Sequence, residues 1–140
     1  MKFTPFYLVF ILFIFIQACG NKQVEENKTQ REQVIAIHDE VMPKMGQLKS
    51  LEKAALQKAE ELLNTDTPDK LKIDSLKNLA SQLNQAYEGM FVWMRQYNTE
   101  DGDKTPGEVK VYLDEQLVLV SKVNEDIKAA LANAELLLKD

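Results

Sequence analysis

The sequence has very few of the residues from which metal centres and disulfides are built: one cysteine, one histidine and one tryptophan among 140 residues. A single cysteine excludes an internal disulfide and any zinc site made of several cysteines. A single histidine excludes the H-E-x-x-H zinc motif. The chain also lacks a basic excess, with 17 Lys and Arg against 22 Asp and Glu. We therefore expect no nucleic-acid partner, because phosphate binding needs a basic patch.

Recurring catalytic motifs are missing as well. The sequence contains no nucleophile elbow, no glycine-rich phosphate loop and no cysteine–histidine pair with a catalytic signature. We therefore predict that the protein is not an enzyme and that it carries no cofactor other than the lipid discussed next.

The first 18 residues differ in composition from the rest of the chain. They hold five of the six phenylalanines and a single charge, Lys2, followed by an apolar run of 11 residues from Phe6 to Ile16. A membrane-spanning helix needs roughly 20 apolar residues. This pattern predicts a cleaved secretory signal peptide over residues 1–18. The alternative is an N-terminal membrane anchor that is not cleaved.

The cysteine follows this segment directly. The string Ile16-Gln17-Ala18-Cys19 resembles the bacterial lipobox, although Gln17 replaces the small or hydroxyl residue usual at that position. The resemblance implies a diacylglycerol on Cys19, whose acyl chains would tether the protein to a membrane. The alternative is an ordinary signal peptide followed by a free thiol. Residues 19–28 are polar and aperiodic, which predicts a flexible leader between lipid and domain.

The remaining chain predicts three helices of similar length, over about residues 30–63, 68–98 and 106–139. The first is predicted to begin with a capping box at Thr29 and Glu32, and the third with one at Thr105 and Glu108. Pro68 opens the second, because proline is tolerated at the first helical position. Apolar residues recur at alternating steps of three and four, as on the buried face of a bundle helix. The predicted first stripe is Val34, Ile37, Val41, Met45, Leu48, Leu51, Ala55, Ala59 and Leu62; the second is Ile73, Leu76, Ala80, Leu83, Tyr87, Met90, Met94 and Tyr97; the third is Val109, Tyr112 or Leu113, Leu117, Val120, Val123, Ile127, Leu131, Ala134 and Leu138.

Short connections between these helices favour antiparallel neighbours. We therefore predict an all-α fold, an up-down-up antiparallel three-helix bundle with coiled-coil-like packing. A pair of helices that completes its bundle by dimerising has the same periodicity, so a homo-oligomer is the alternative. Pro43 interrupts the first stripe, where proline removes a backbone hydrogen bond and clashes with the preceding turn. The helix should kink there, or break before Met42 and resume after Met45.

Antiparallel pairing around the first turn places residues 38–45 opposite residues 88–95. All aromatic residues after residue 18 fall at this end and form a candidate interaction cluster: Tyr87, Phe91, Trp93, Tyr97 and Tyr112. The candidate ligands for a soft metal such as Cu(I) lie there too: His38, Met42, Met45, Met90 and Met94. Methionines and aromatic rings also fill irregular cores, and they line grooves that bind a peptide or a lipid. The sequence leaves these three interpretations open.

The chain contains two distinctive strings, AIHDEVMPKMG at residues 36–46 and AYEGMFVWM at residues 86–94, and the stretch from Tyr112 to Val123. Together they resemble small lipoproteins of Bacteroidota that carry the label "viral A-type inclusion protein". The resemblance covers nearly the whole chain after the signal segment. It implies a lipoprotein of a Gram-negative envelope, in which His38, Pro43, Trp93 and Met94 belong to a shared pattern, and it supplies no activity or binding residues.

The residues and the resemblance together predict a lipid-anchored cell-envelope protein, facing the periplasm or the cell surface, that acts as a non-enzymatic interaction or structural module. Its expected partners are the membrane, through Cys19, and an unidentified envelope protein. The alternative function is binding or carriage of a soft metal through the histidine and methionine cluster.

Overall fold

The computed structural model describes the backbone of residues 5–139 and the side chains of residues 22–139. The backbone forms four α-helices: α1 (Pro5–Val41), α2 (Met45–Leu63), α3 (Lys70–Gln96) and α4 (Pro106–Leu138). A single 3-10 turn (Met42–Lys44) joins α1 to α2, and no strand occurs within residues 5–139. The fold is therefore all-α, as predicted. The side chains of the predicted signal peptide and lipobox, including Cys19, lie outside the described residues.

The first helix begins earlier than the sequence predicts. Residues 22–28, predicted as a flexible leader, are helical in the structure, and the Thr29 hydroxyl donates to the Glu25 carbonyl (3.1 Å) instead of capping a helix start. Asn27 is buried, and its amide donates to the Pro106 carbonyl (2.7 Å). The predicted start at Thr29 is wrong because this segment packs through a polar contact, which hydrophobic periodicity does not register.

Pro43 breaks the first long helix, as predicted. The chain tightens into the 3-10 turn, in which the Met45 amide donates to the Met42 carbonyl, and then resumes as α2. A 3-10 turn is a common way to pass a residue that cannot donate a backbone hydrogen bond. The residues on either side, Val41 and Met45, are both buried, so the break keeps the predicted stripe on the core face.

The two later helix starts are set by side-chain caps. Thr105 and Glu108 form the predicted capping box: the Thr105 amide donates to Glu108 Oε2 (2.8 Å), and the Glu108 amide donates to Thr105 Oγ1 (3.4 Å). The start of α3 differs from the prediction. Asp69, not Thr67, is the N-cap and accepts from the Lys72 amide (3.1 Å), so α3 begins two residues after Pro68.

The core is made mostly of residues from the predicted apolar stripes, but the second stripe differs at its end, where Trp93 is buried and the predicted Met94 is exposed. Fully buried residues include Val41, Leu48, Leu83, Leu113 and Ile127. Side-chain hydrogen bonds join α4 to its neighbours: Asn124 donates to the Ile37 carbonyl on α1, and Asn133 donates to Gln82 on α3. The helices pack together around a shared hydrophobic core.

Within the part of the chain whose side chains are described, no helix is long and apolar enough to cross a membrane.

Candidate functional site

Four rings form a series that we call the aromatic ladder: His38 on α1, Trp93 on α3, Tyr97 directly after α3, and Tyr112 on α4. Successive ring centroids lie 5.6 Å (His38 to Trp93), 4.9 Å (Trp93 to Tyr97) and 6.3 Å (Tyr97 to Tyr112) apart. Centroid separations of 4.5–7 Å are those at which aromatic rings attract one another. The ladder thus joins α1, α3 and α4 at the end of the molecule where the α3–α4 loop lies.

The last ring of the ladder also fixes this loop. The Tyr112 hydroxyl accepts from the Asn98 amide (2.6 Å) and donates to the Asn98 carbonyl (3.3 Å). From α1, Arg31 donates to the same carbonyl (3.2 Å) and forms an ion pair with Asp101. The loop is therefore held from both α1 and α4.

The predicted interaction cluster divides into two groups. Trp93, Tyr97 and Tyr112 belong to the ladder, whereas Tyr87 and Phe91 form a separate pair with centroids 4.9 Å apart. Tyr87 also lies under the Lys49 ammonium at 5.1 Å, a cation–π distance. Trp93 is part of the core, Tyr87, Phe91 and Tyr97 are half-buried against it, and Tyr112 is half-buried.

The predicted soft-metal ligands are divided as well. Met45 and Met90 are buried in the hydrophobic core, and Met42 is half-buried against it. Met94, one turn beyond Met90, is 38% exposed. It lines a cleft of about 210 Å³ together with His38, and the full lining is Ile35, His38, Trp93, Met94, Tyr97 and Thr99. Of the five candidates, the structure places only His38 and Met94 in this cleft, which we call the His38–Met94 cleft.

Asp39 orients the His38 ring. The Nδ1 atom of His38 lies 2.8 Å from Asp39 Oδ1. Because a carboxylate only accepts hydrogen bonds, Nδ1 carries the proton in this contact, and Nε2 is the ring nitrogen that could bind a further partner. Among residues 22–139, no group of three or more His, Cys, Asp or Glu side chains is arranged to hold a metal ion.

Trp93 contains an uncompensated polar atom. Its side chain is 4% exposed, and its indole Nε1 has no hydrogen-bond partner among the described residues. A buried N–H without a partner costs about 1–3 kcal/mol. Phenylalanine would avoid this cost but fills less volume, so the larger indole offsets part of the penalty through its packing.

A second concave surface, the α3–α4 groove, lies between those two helices. Its volume is about 390 Å³, and it is lined by Gln82, Gln85, Ala86, Lys122, Asp126, Ala129, Ala130 and Asn133. Gln82 and Asn133 are hydrogen-bonded across it (3.1 Å). Small side chains form part of the lining, so another chain could approach closely there.

Two exposed apolar residues continue the line of this groove towards the aromatic ladder. Leu119 is 47% exposed and lies two helical turns before Asp126, and Val92 is 43% exposed and lies two turns after Gln85. Residues seven apart share a helix face. The groove and these two residues therefore form one surface, polar at one end and apolar at the other.

A cluster of polar side chains joins α4 to α1 beside the Pro43 break. The Asn124 amide donates to Glu40 Oε2 (3.0 Å), and Lys128 Nζ lies 2.6 Å from Glu40 Oε1. The hydrogen bond from Lys128 and, to a smaller extent, the one from Asn124 hold the pKa of the Glu40 carboxyl below its ordinary value. The sequence shows none of these partners, because they lie more than 80 residues apart.

Comparison with protein-family models, curated proteins and solved structures finds no match for this chain.

Proposed function

We propose that the protein is a lipid-anchored helical module of a Gram-negative cell envelope, facing the periplasm or the cell surface, that binds another envelope protein through the α3–α4 groove. Its role is interaction and not catalysis. The observation that carries the proposal is the exposure of Val92 and Leu119 in line with the groove. Apolar residues rimmed by polar ones are characteristic of protein interfaces.

The anchor is the first part of the proposal. The lipobox-like string that ends at Cys19 supports it, and Cys19 falls within the bounds of α1 (Pro5–Val41). A helical connection from the anchor to Asn27, which contacts the start of α4, would hold the bundle close to the membrane. The aromatic ladder and the α3–α4 loop would then lie at the membrane-proximal end.

The second part is the arrangement of the helices. We propose an up-down-up bundle in which α1 and α2 together form the first arm, α3 the second and α4 the third. The order of the interhelical hydrogen bonds supports it: α1 and α4 meet in the same direction, and α3 meets α4 in the opposite one. In this arrangement the α3–α4 groove is an outer seam between antiparallel helices, a shape that suits a partner helix.

Site-specific photo-crosslinking in intact cells tests the groove. A photoreactive amino acid is placed at Leu119, in the groove surface, and for comparison at Leu71, which is 82% exposed at the other end of the bundle. We expect a light-dependent adduct with a second protein from position 119 and none from position 71. The substitution Val92→Glu should reduce the adduct from position 119, because a charge opposes burial of the neighbouring apolar surface.

Equal adducts from both positions, or none from position 119, would overturn the groove proposal. An adduct of twice the protein's own mass would show that the groove binds a second copy of this chain and not another envelope protein.

A further inference from the structure

We infer that the His38–Met94 cleft binds a soft monovalent metal ion of the Cu(I) class through His38 Nε2 and the Met94 thioether. The inference goes beyond the proposed function and uses a different surface from the α3–α4 groove. It rests on one juxtaposition: the only histidine of the chain and its one exposed described methionine line the same cleft of about 210 Å³, against the only tryptophan.

The contact with Asp39 orients the His38 ring for metal binding. Asp39 Oδ1 lies 2.8 Å from Nδ1, and a proton on Nδ1 in this contact makes Nε2 the ring nitrogen that can bind a metal. Histidines that bind metals usually donate their second ring N–H to a carboxylate or a carbonyl, which orients the ring and raises its basicity. Asp39 therefore acts as a positioning residue for His38.

The methionine supplies the soft donor. Thioether sulfur and imidazole nitrogen both suit Cu(I), whereas carboxylates and water suit harder ions. Met94 is 38% exposed, although the methionine one turn earlier, Met90, is completely buried. A methionine that only filled the core would be placed like Met90.

Trp93 completes the surroundings. Its ring lies 5.6 Å from the His38 ring and stacks on Tyr97. A cation in the cleft would lie beside the electron-rich indole, the aromatic side chain that attracts cations most strongly. This role gives a reason for an indole at position 93, where the buried Nε1 has no hydrogen-bond partner among the described residues.

The burial of the other methionines distinguishes them from Met94. Met45 and Met90 are buried in the apolar core, so metal binding there would require the core to open. We therefore assign no ligand role to them, and they provide matched controls.

The test uses the full chain in detergent with Cys19→Ala as the common background, because any copy that lacks the lipid on Cys19 would present a thiol that itself binds the ion. Ag(I) is the probe, since it is soft and monovalent like Cu(I) and is stable in air. The methyl groups of the methionines are labelled with carbon-13 and followed by NMR during titration, while the fluorescence of Trp93, the only tryptophan, is followed in parallel.

We expect one equivalent of Ag(I) to shift the Met94 methyl resonance and quench Trp93, while the Met45 and Met90 resonances stay in place. His38→Phe and Met94→Leu should each weaken binding by at least about tenfold, the loss typical of a disturbed metal site. Met90→Leu should change the affinity by less than about twofold, since it only alters core packing. The inference is overturned if the Met94 resonance does not move at one equivalent, or if His38→Phe and Met94→Leu bind Ag(I) as tightly as the background chain.

Discussion

The side-chain amide of Asn124 on α4 donates a hydrogen bond to the backbone carbonyl of Ile37 on α1 (3.0 Å). Asn124 is only 5% exposed, so this contact lies inside the bundle, shortly before the helix breaks at Pro43. The same amide group also donates to Glu40. A buried polar residue with its partners in place fixes one relative position of two helices, because any shift along the axis would leave it unpaired.

Removal of this contact should be costly. Asn124→Ala deletes two hydrogen bonds from a buried position, and we expect the free energy of unfolding to fall by about 1–3 kcal/mol. Urea unfolding followed by circular dichroism measures the change. Asn133→Ala is the matched control, because Asn133 is exposed on the same helix and its hydrogen bond to Gln82 lies at the surface; it should stay within about 0.5 kcal/mol of the wild type. Equal losses in the two variants would contradict a special role for Asn124.

Glu40 should make the stability depend on acid pH. Hydrogen bonds from Lys128 and Asn124 lower the pKa of this carboxyl in the folded state. A lowered pKa stabilises the folded protein at pH values above the unfolded-state pKa, and the contribution is lost as the pH falls through the folded-state pKa. Glu40→Gln should therefore be less stable than the wild type at neutral pH, and the difference should shrink as the solution is acidified.

Thermal unfolding of both proteins across the acid range measures this difference. Glu135→Gln, at an exposed position of α4, should leave the pH profile parallel to that of the wild type. If Glu40→Gln also ran parallel to the wild type at every pH, the ion pair with Lys128 would contribute nothing to stability.

Truncation of a buried leucine should destabilise the protein, whereas truncation of an exposed leucine should not. Leu83 is completely buried, whereas Leu71 is 82% exposed on the same helix. Leu83→Ala should lower the free energy of unfolding by about 2–5 kcal/mol, through lost burial and a residual cavity. Leu71→Ala should change it by less than about 0.5 kcal/mol. Denaturant titration of the pair checks the burial pattern, and a larger loss at Leu71 would contradict it.

Periodicity and local chemistry explain why much of the fold follows from the sequence. Val41, Leu48 and Leu83 recur with the helical repeat, so their burial is predictable from spacing alone. Pro43 cannot donate a backbone hydrogen bond, so its break is predictable as well. The burial of Asn27 and Asn124 is not predictable in this way. Each is hydrogen-bonded to a residue distant in the sequence, and no local pattern indicates which polar residue will have such a partner.

The candidate site was predictable in part for the same reasons. Antiparallel pairing around the first turn places His38 near Trp93, and their rings are indeed in contact. Met90 and Met94 fall on one predicted stripe, yet beyond Met90 the buried residue is Trp93, and Met94 is 38% exposed. Steps of three and of four residues both stay near one helix face, so the spacing could not choose between positions 93 and 94. The α3–α4 groove was not predicted, since its glutamines and alanines have the composition of an ordinary exposed helix face.

The lipid anchor is the central claim, because it decides where the molecule works. Intact-mass spectrometry of the protein extracted from cell membranes tests it most directly. The account predicts a chain that begins at Cys19 and carries the added mass of a diacylglycerol, with or without a further acyl chain. A chain that still begins at Met1, or one that begins at or near Cys19 with no added lipid mass, would contradict it.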